Sequence, residues 1–361
     1  MLQRALSAPD LRIDGDRTRL AHLALIGLGL LLVSAMALSL LTGASDASLW
    51  RLVGSWLGGV ADPALLARDK LVLVDIRLPR LLLGVLIGGG LAISGVVMQG
   101  LFRNPLADPG LVGVSSGAGL GAVLIIVLGG TALAPIVAPL GIYGLQIFAF
   151  VGALATTVVL YKVSTRGGQT QVATMLLAGI AIGALAGAVM GVLIYVASDS
   201  QLRDFTFWSL GSLAGSNWQK VLASAPIIGL ASLGCFFLWR GLNALTLGEA
   251  TAGHLGVPVE RLKKAAIVAV AAATGASVAV SGGIGFVGIV VPHLLRLIIG
   301  PDHRYLLPAS AMLGAAFLLI ADAVARTIVA PAELPIGIVT ATVGGPFFLW
   351  ILLRKRGQLA W

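Results

Sequence analysis

Leu176-Leu177-Ala178-Gly179-Ile180-Ala181-Ile182-Gly183-Ala184-Leu185-Ala186-Gly187-Ala188-Val189-Met190-Gly191-Val192-Leu193 runs without a charge through the middle of an apolar stretch at about 172–197. A helix of that length crosses a hydrocarbon core of about 30 Å. Gly179, Gly183, Gly187 and Gly191 recur at every fourth residue and so form a smooth stripe on one face. Such a stripe lets a neighbouring helix come close, or lines a substrate path. This stretch predicts a membrane bundle, and the rest of the chain agrees. Of 361 residues, 58% are hydrophobic and 11% charged, with a mean hydropathy of +1.00, far from a soluble domain.

Outward from it, further apolar runs lie near 20–41, 81–101, 112–130, 140–161, 220–239, 264–281, 286–299, 308–329 and 337–353. The expected fold is an all-α polytopic membrane protein of about ten transmembrane helices. One transmembrane domain spans 21–353, with cytoplasmic tails at 1–20 and 354–361. Arg4, Arg12, Arg17 and Arg19 precede the first run, which exceeds the core of a cleavable signal peptide, so it reads as a retained span with its N-terminus inside. Sixteen of the 24 Lys and Arg, Arg103, Lys263 and Arg296 among them, then fall on the cytoplasmic side, as the positive-inside bias requires. The net charge of +9 is scattered near span ends rather than gathered on an aromatic-laced face, so it reports topology and not nucleic acid. The single cysteine, Cys235, reads as a small apolar side chain in a span, and no metal cluster is expected.

Some cations run against that bias. Arg77 and Arg80 precede the second span and Arg326 ends the ninth, all on the outer side. They either snorkel to headgroups or meet an acidic partner. Asp322, four residues before Arg326, is placed to pair with it along one helical face. Further glycine stripes, Gly84 with Gly88 and Gly113 with Gly117 and Gly121, point to close packing in the second and third spans. Breaks at 104–110, 281–286 and 333–337 need protein or water to satisfy their backbone. On the outer side, Phe205 to Leu213 reads as a short interfacial helix anchored by Trp208.

Between the sixth and seventh spans lies a polar island, Leu245-Thr246-Leu247-Gly248-Glu249-Ala250-Thr251-Ala252-Gly253-His254-Leu255-Gly256-Val257-Pro258. Thr246 and Glu249 have capping-box spacing, Gly256 can close a helix in a left-handed cap, and Pro258 can start the next. Leu247, Ala250 and Leu255 fall roughly on one face. The chain has no Gly-x-x-x-x-Gly-Lys-[Ser/Thr] loop, no His-Glu-x-x-His and no Gly-x-Ser-x-Gly elbow, so it carries no catalytic residues and cannot use ATP by itself. An intramembrane hydrolase built on Ser281 and His293 would leave the island without purpose. His293 reads instead as a structural histidine beside Pro292.

Ordered motifs carry a resemblance over about residues 70–353: Arg77-Leu78-Pro79-Arg80, Ile93-Ser94-Gly95-Val96-Val97-Met98-Gln99-Gly100-Leu101-Phe102-Arg103-Asn104-Pro105-Leu106-Ala107-Asp108-Pro109, Gly285-Phe286-Val287-Gly288-Ile289-Val290-Val291-Pro292-His293 and Ala332-Glu333-Leu334-Pro335-Ile336-Gly337. The chain resembles permease subunits of bacterial type II ABC importers for iron chelates, haem and cobalamin. The resemblance implies a homodimer in the inner membrane, with two ATPase subunits carrying ATP and Mg and a periplasmic binding protein delivering substrate. It implies binding-protein docking at Arg77, Arg80 and Arg326, and ATPase coupling at Glu249, Ala250, Gly253 and Leu255. It also places the fifth and tenth spans beside the pathway, where Gly179, Gly183, Gly187 and Gly191 would pack. The stretch from Phe205 to Trp218 is most similar to haem permeases, which makes haem the expected substrate, with a ferric siderophore or cobalamin as the alternative.

Overall fold

A computed structural model describes residues 17–43, 47–57 and 62–355. Arg4, Arg12, Arg356 and most of both expected tails lie outside the described residues. The spans appear as α1 (Thr18–Leu41), α2 (Leu78–Phe102), α3 (Val114–Leu128), α4 (Gly144–Ser164), α5 (Val172–Val196), α6 (Trp218–Phe236), α7 (Val259–Ser281), α8 (Val287–Ile299), α9 (His303–Thr327) and α10 (Ile336–Lys355). Among the described residues, 7 helical segments are long and apolar enough to cross a membrane, and α3, α8 and α10 are shorter apolar helices. The expected runs thus recur one for one. The ends differ most at α7 and α9, which begin at Val259 and His303, ahead of the apolar stretches near 264 and 308. Apolarity marks the hydrocarbon, whereas a helix continues through charged first turns such as Glu260-Arg261 and His303-Arg304 into the interface.

Sharp backbone turns separate the helices. Arg103 closes α2 in the left-handed region (φ 50), and Phe286 (φ 69) opens α8. Gly300 (φ 93) ends α8 and Asp302 caps α9 by accepting the Arg304 N–H at 2.9 Å. The chain crosses back and forth, so two ends can be told apart. The start of α1, a hairpin at residues 165–170, the island at 245–258 and the α8–α9 turn share one end. The end of α1, the residues before α2, the loops at 197–217 and 282–286 and the α9–α10 connection share the other.

The core forms around α2, whose best apolar window is 83% buried, against 11% for α1 and for α5. Glycine makes that burial possible. A Cβ at Gly88 would strike the Gly314 backbone of α9, and one at Gly95 would strike Gly288 of α8. Gly117 meets Gly152 and Thr156 of α4, and Gly121 meets the Phe148 carbonyl. The glycines of the second and third spans are therefore packing glycines. Those of α5 differ: a Cβ at Gly183 would touch only Ser116, and at Gly187 or Gly191 would meet nothing within 4 Å.

Backbone at the breaks is satisfied by protein. The Ser212 N–H donates to the Ser281 carbonyl at 2.7 Å and the Gly337 N–H to the Leu210 carbonyl at 3.1 Å. Three broken segments, near 210, 282 and 336, thus tie one another together. The short helix expected at the interface runs Asp199–Ser209 rather than Phe205 to Leu213, because Ser198 and Gln201 form a capping box that starts it earlier. Gly211, at φ 70, lies beyond its end.

Candidate functional site

At the end where α1 finishes, the three arginines lie together and are buried: Arg77 is 5% exposed, Arg80 9% and Arg326 9%. Each is already engaged. The Arg77 Nη1 donates to the Leu40 carbonyl at 2.6 Å, and the Arg326 Nη1 to that of Thr42 at 3.1 Å. These two cations therefore satisfy orphan carbonyls at the negative end of α1. Arg326 also pairs with Asp322 at 3.1 Å, as the i,i+4 spacing predicts. Arg80, in the first turn of α2, donates Nε and Nη2 to the same Asp322 and Nη1 and Nη2 to Glu333, with contacts of 2.9–3.1 Å. The Asp322 side chain is 1% exposed and that of Glu333 39%. The three guanidinia are thus buried and internally bonded rather than held out on a surface, and among their acidic partners Glu333 is the solvent-exposed one.

At the opposite end the island holds one short helix, Glu249–His254, preceded by another, Trp239–Leu245, that ends where the island begins. The expected capping box does not form. The Thr246 hydroxyl donates back to the Asn243 carbonyl at 2.6 Å, and Gly248, at φ 105, caps the second helix without a side chain. The chain turns at Gly248 because glycine alone reaches that φ freely, which leaves Thr246 outside the helix. The Gly256 expectation holds: at φ 83, its N–H bonds the Gly253 carbonyl and the Val257 N–H that of Ala252, both at 3.0 Å, a Schellman closure. Pro258 then precedes α7 as its N-cap. Leu245 and Ala252 point inward, while Leu247 and Leu255, each 63% exposed, present an apolar surface with Ala250 and Gly253.

Glu249 turns instead to Lys263, whose Nζ lies 2.7 Å from its carboxylate, 3.1 Å from that of Glu260 and 2.9 Å from the Thr170 carbonyl. Glu260 also accepts the Thr170 N–H at 3.0 Å. Lys263 is 2% exposed. It therefore joins the island, the first turn of α7 and a hairpin, Thr165-Arg166 paired with Gln169-Thr170, that leads directly into α5. A groove of about 680 Å³ lies over this junction. Sequence reasoning counted Lys263 only as a topology marker and missed the hairpin. The available signals were Gly167-Gly168, a two-residue hairpin turn, and the position of Lys263 between Leu262 and Ala266 on the buried face of α7.

Gly179 and Gly183 are half-buried and Gly187 and Gly191 exposed, so most of the α5 stripe has no neighbour within the chain. At the arginine end a shallow cavity of about 450 Å³ opens between Leu210, Gly283, Gly337 and Thr342, beside α10. His293 is buried in α8, edge-on to Phe347 of α10 at 6.3 Å. The Ser281 hydroxyl donates to the Ser277 carbonyl at 2.8 Å. Backbone bonding of that kind is an ordinary role for a helical serine.

A profile of the FecCD transport family matches residues 30–354. The hemin transport system permease protein HmuU of Yersinia pestis is 50% identical over 285 residues, or 79% of this chain and 84% of that protein. The cobalamin import system permease protein BtuC of Halobacterium salinarum is 46% identical over 287 residues, 80% and 74% of the two chains. The vitamin B12 import system permease protein BtuC of Klebsiella pneumoniae is 41% identical over 334 residues, 92% and 94%. Among solved structures, an inward-facing metal-chelate type ABC transporter matches with a TM-score of 0.77 and 35% identity, covering 91% of this chain and 98% of that one.

Proposed function

The chain belongs to the FecCD transport family as a multi-pass permease subunit of an ABC importer, and on that premise we propose that its cargo is haem. The observation that carries this choice is the greater identity to the hemin permease than to the cobalamin permeases described above. Cobalamin is the second reading, favoured by the longer stretch over which the Klebsiella relative aligns; a ferric siderophore is the remaining alternative.

In this reading two copies form the pathway in a bacterial inner membrane, with the α5 stripe at Gly179, Gly183, Gly187 and Gly191 facing the partner copy or the passage. The 245–258 end and both termini are cytoplasmic. Two ATPase subunits, which carry the ATP and Mg, press on the surface of Glu249, Ala250, Gly253 and Leu255. Lys263 passes that displacement both to α7 and, through Thr170, to α5. At the periplasmic end a binding protein brings acidic groups to Arg77, Arg80 and Arg326, and the first exchange is with Glu333 on Arg80. Selectivity rests with that binding protein, so the passage need only accept and release as the two conformations interchange.

The test is ATP-dependent accumulation of haem, cobalamin and a ferric siderophore in proteoliposomes carrying the full assembly. Haem is expected to accumulate and to be stopped by vanadate. Cobalamin uptake with no haem uptake transfers the function to the second reading, and vanadate-insensitive uptake removes the ATP-driven mechanism altogether.

A further inference from the structure

A cleft of about 520 Å³ opens at the 245–258 end, between the start of α1 and the α8–α9 turn, lined by Arg17, Thr18, Arg296, Gly300, Asp302 and Tyr305. Arg296 belongs to the last turn of α8. Its Nε is buried without a hydrogen-bond partner, and its Nη2 reaches only His303 Nε2, at a long 3.5 Å. His303 brings no negative charge. Its Nδ1 lies 2.7 Å from the Asn243 Oδ1, an atom that only accepts, so the ring carries its proton on Nδ1 and turns a lone pair towards Arg296. Asn243 is held in that orientation because its amide nitrogen donates to Asp302 at 2.7 Å and its oxygen also accepts the His303 N–H. Asp302 Oδ1 is thereby spent on Asn243 and the Arg304 N–H.

The second guanidinium, of Arg17, reaches across to the Leu297 and Ile298 carbonyls at 3.4 Å each. Gly300 leaves room for this, since a Cβ there would lie 3.6 Å from the Arg17 side chain. Among the described residues, no carboxylate lies within ion-pair distance of Arg17 or Arg296. A half-buried guanidinium with an unbonded Nε is unfavourable until an anion reaches it. Together with the exposed guanidinium of Arg17, which is bonded only to carbonyls, it presents two cations to one cleft, and these suit the oxygens of a phosphate, which arginine binds in fork geometry. The surroundings select the source of that phosphate. Leu297 and Ile298, 53% and 45% exposed, flank the cleft with apolar side chains, and Leu20 of α1 is 45% exposed. A free phosphate gains nothing from these, whereas a lipid lays its acyl chains along them.

We infer that the cleft between Arg17 and Arg296 binds the phosphate of an acidic phospholipid from the leaflet at this end of the bundle. Basic clefts between spanning helices at the cytoplasmic side hold acidic headgroups in this manner. The lipid would tie α1, peripheral in the bundle, to the α8–α9 turn. The inference rests on the proposed orientation, with this end cytoplasmic, and holds whatever the cargo is.

The experiment is native mass spectrometry of the full-length protein released from vesicles of phosphatidylcholine with 20 mol% (about one in five lipids) cardiolipin or phosphatidylglycerol, comparing the parent with Arg296→Gln and Arg17→Gln. The expected result is retained acidic lipid, reduced about tenfold in each variant, with phosphatidylcholine retention unchanged. Arg17 is exposed at the bundle edge, so its variant folds even if Arg296→Gln does not. Equal retention in Arg17→Gln and the parent overturns the assignment. So does protection by inorganic phosphate in detergent with no preference for acidic lipid, which would make the cleft a soluble-anion site.

Discussion

Both ends of the bundle are built on a buried cation gripped by two carboxylates, yet the two nodes are mechanically different. At the end proposed as periplasmic, the outer node, Arg80 holds one carboxylate, Asp322, whose side chain is 1% exposed, and one, Glu333, that is 39% exposed. At the end proposed as cytoplasmic, the inner node, Lys263 holds two acids of similar exposure, Glu249 at 40% and Glu260 at 36%. Asp322 belongs to α9, tightly packed on α2, and is shared with Arg326. The outer node therefore has a fixed base and one releasable acid. The inner node has no such base among its acids: its only rigid member is the lysine, and what it joins are three separate pieces of chain. A base with one free partner suits reversible docking, whereas a pivot between three pieces suits transmission of force.

The largest expected effect comes from removing the base of the outer node. Asp322→Ala leaves Arg80 and Arg326 buried without their common carboxylate, and breaking a buried pair in this way costs about 3–5 kcal/mol. Thermal unfolding in detergent should show a substantial drop in melting temperature, together with poor recovery from the membrane. A melting temperature equal to that of the parent would mean that Asp322 is not a base at all, and the contrast between the nodes would go with it.

Next in size is Lys263→Met, which separates stability from coupling. Replacing a buried cation by an apolar side chain of similar length is often close to neutral, within about 1 kcal/mol, particularly when the acids it leaves behind reach water. Under the proposed function the assembled complex should keep hydrolysing ATP while uptake per ATP falls by about tenfold or more, the equivalent of about 1.4 kcal/mol of lost coupling. Parallel loss of hydrolysis and uptake would identify Lys263 as a structural group for the ATPase contact instead. Unchanged transport would remove the pivot.

What was legible in the sequence, and what was not, follows the range of the interactions. The Asp322–Arg326 pair and the Gly256 closure lie within one or two turns of helix, so spacing alone announces them. The glycine stripes of the second, third and fifth spans look alike as sequence, yet Gly88 and Gly117 are filled by neighbouring backbone while Gly187 faces open space. Only the partner helix distinguishes them. The Thr246–Glu249 box failed because Gly248, at φ 105, starts the helix beyond Thr246, and Glu249 pairs instead with Lys263, fourteen residues on. Glu333 was visible as part of a motif and a chain break, but its bond to Arg80 spans a separation of 253 residues that no periodicity encodes. Charges that determine topology one by one acquire their roles only when the fold brings them into pairs.

The smallest effect, and the sharpest test of the difference between the nodes, is expected from Glu333→Gln. Because Glu333 is more than a third exposed, its pair with Arg80 is screened, and its loss should shift stability by less than about 1 kcal/mol. Asp322 would keep Arg80 in place through Nε and Nη2, leaving Nη1 without a charged partner. A docked acidic group then no longer has a competitor, so the affinity of the permease for its binding protein should rise by about two- to fivefold, which is the most that a screened pair can withhold. The gain should shrink as salt increases, since the competition takes place at the solvent-facing edge of the node. Titration of the binding protein against parent and variant at low and high salt reads both quantities. An affinity that falls would show that Glu333 helps to hold the docked state rather than yielding to it, and the outer node would then be as fully committed to its internal partners as its buried Asp322 already is.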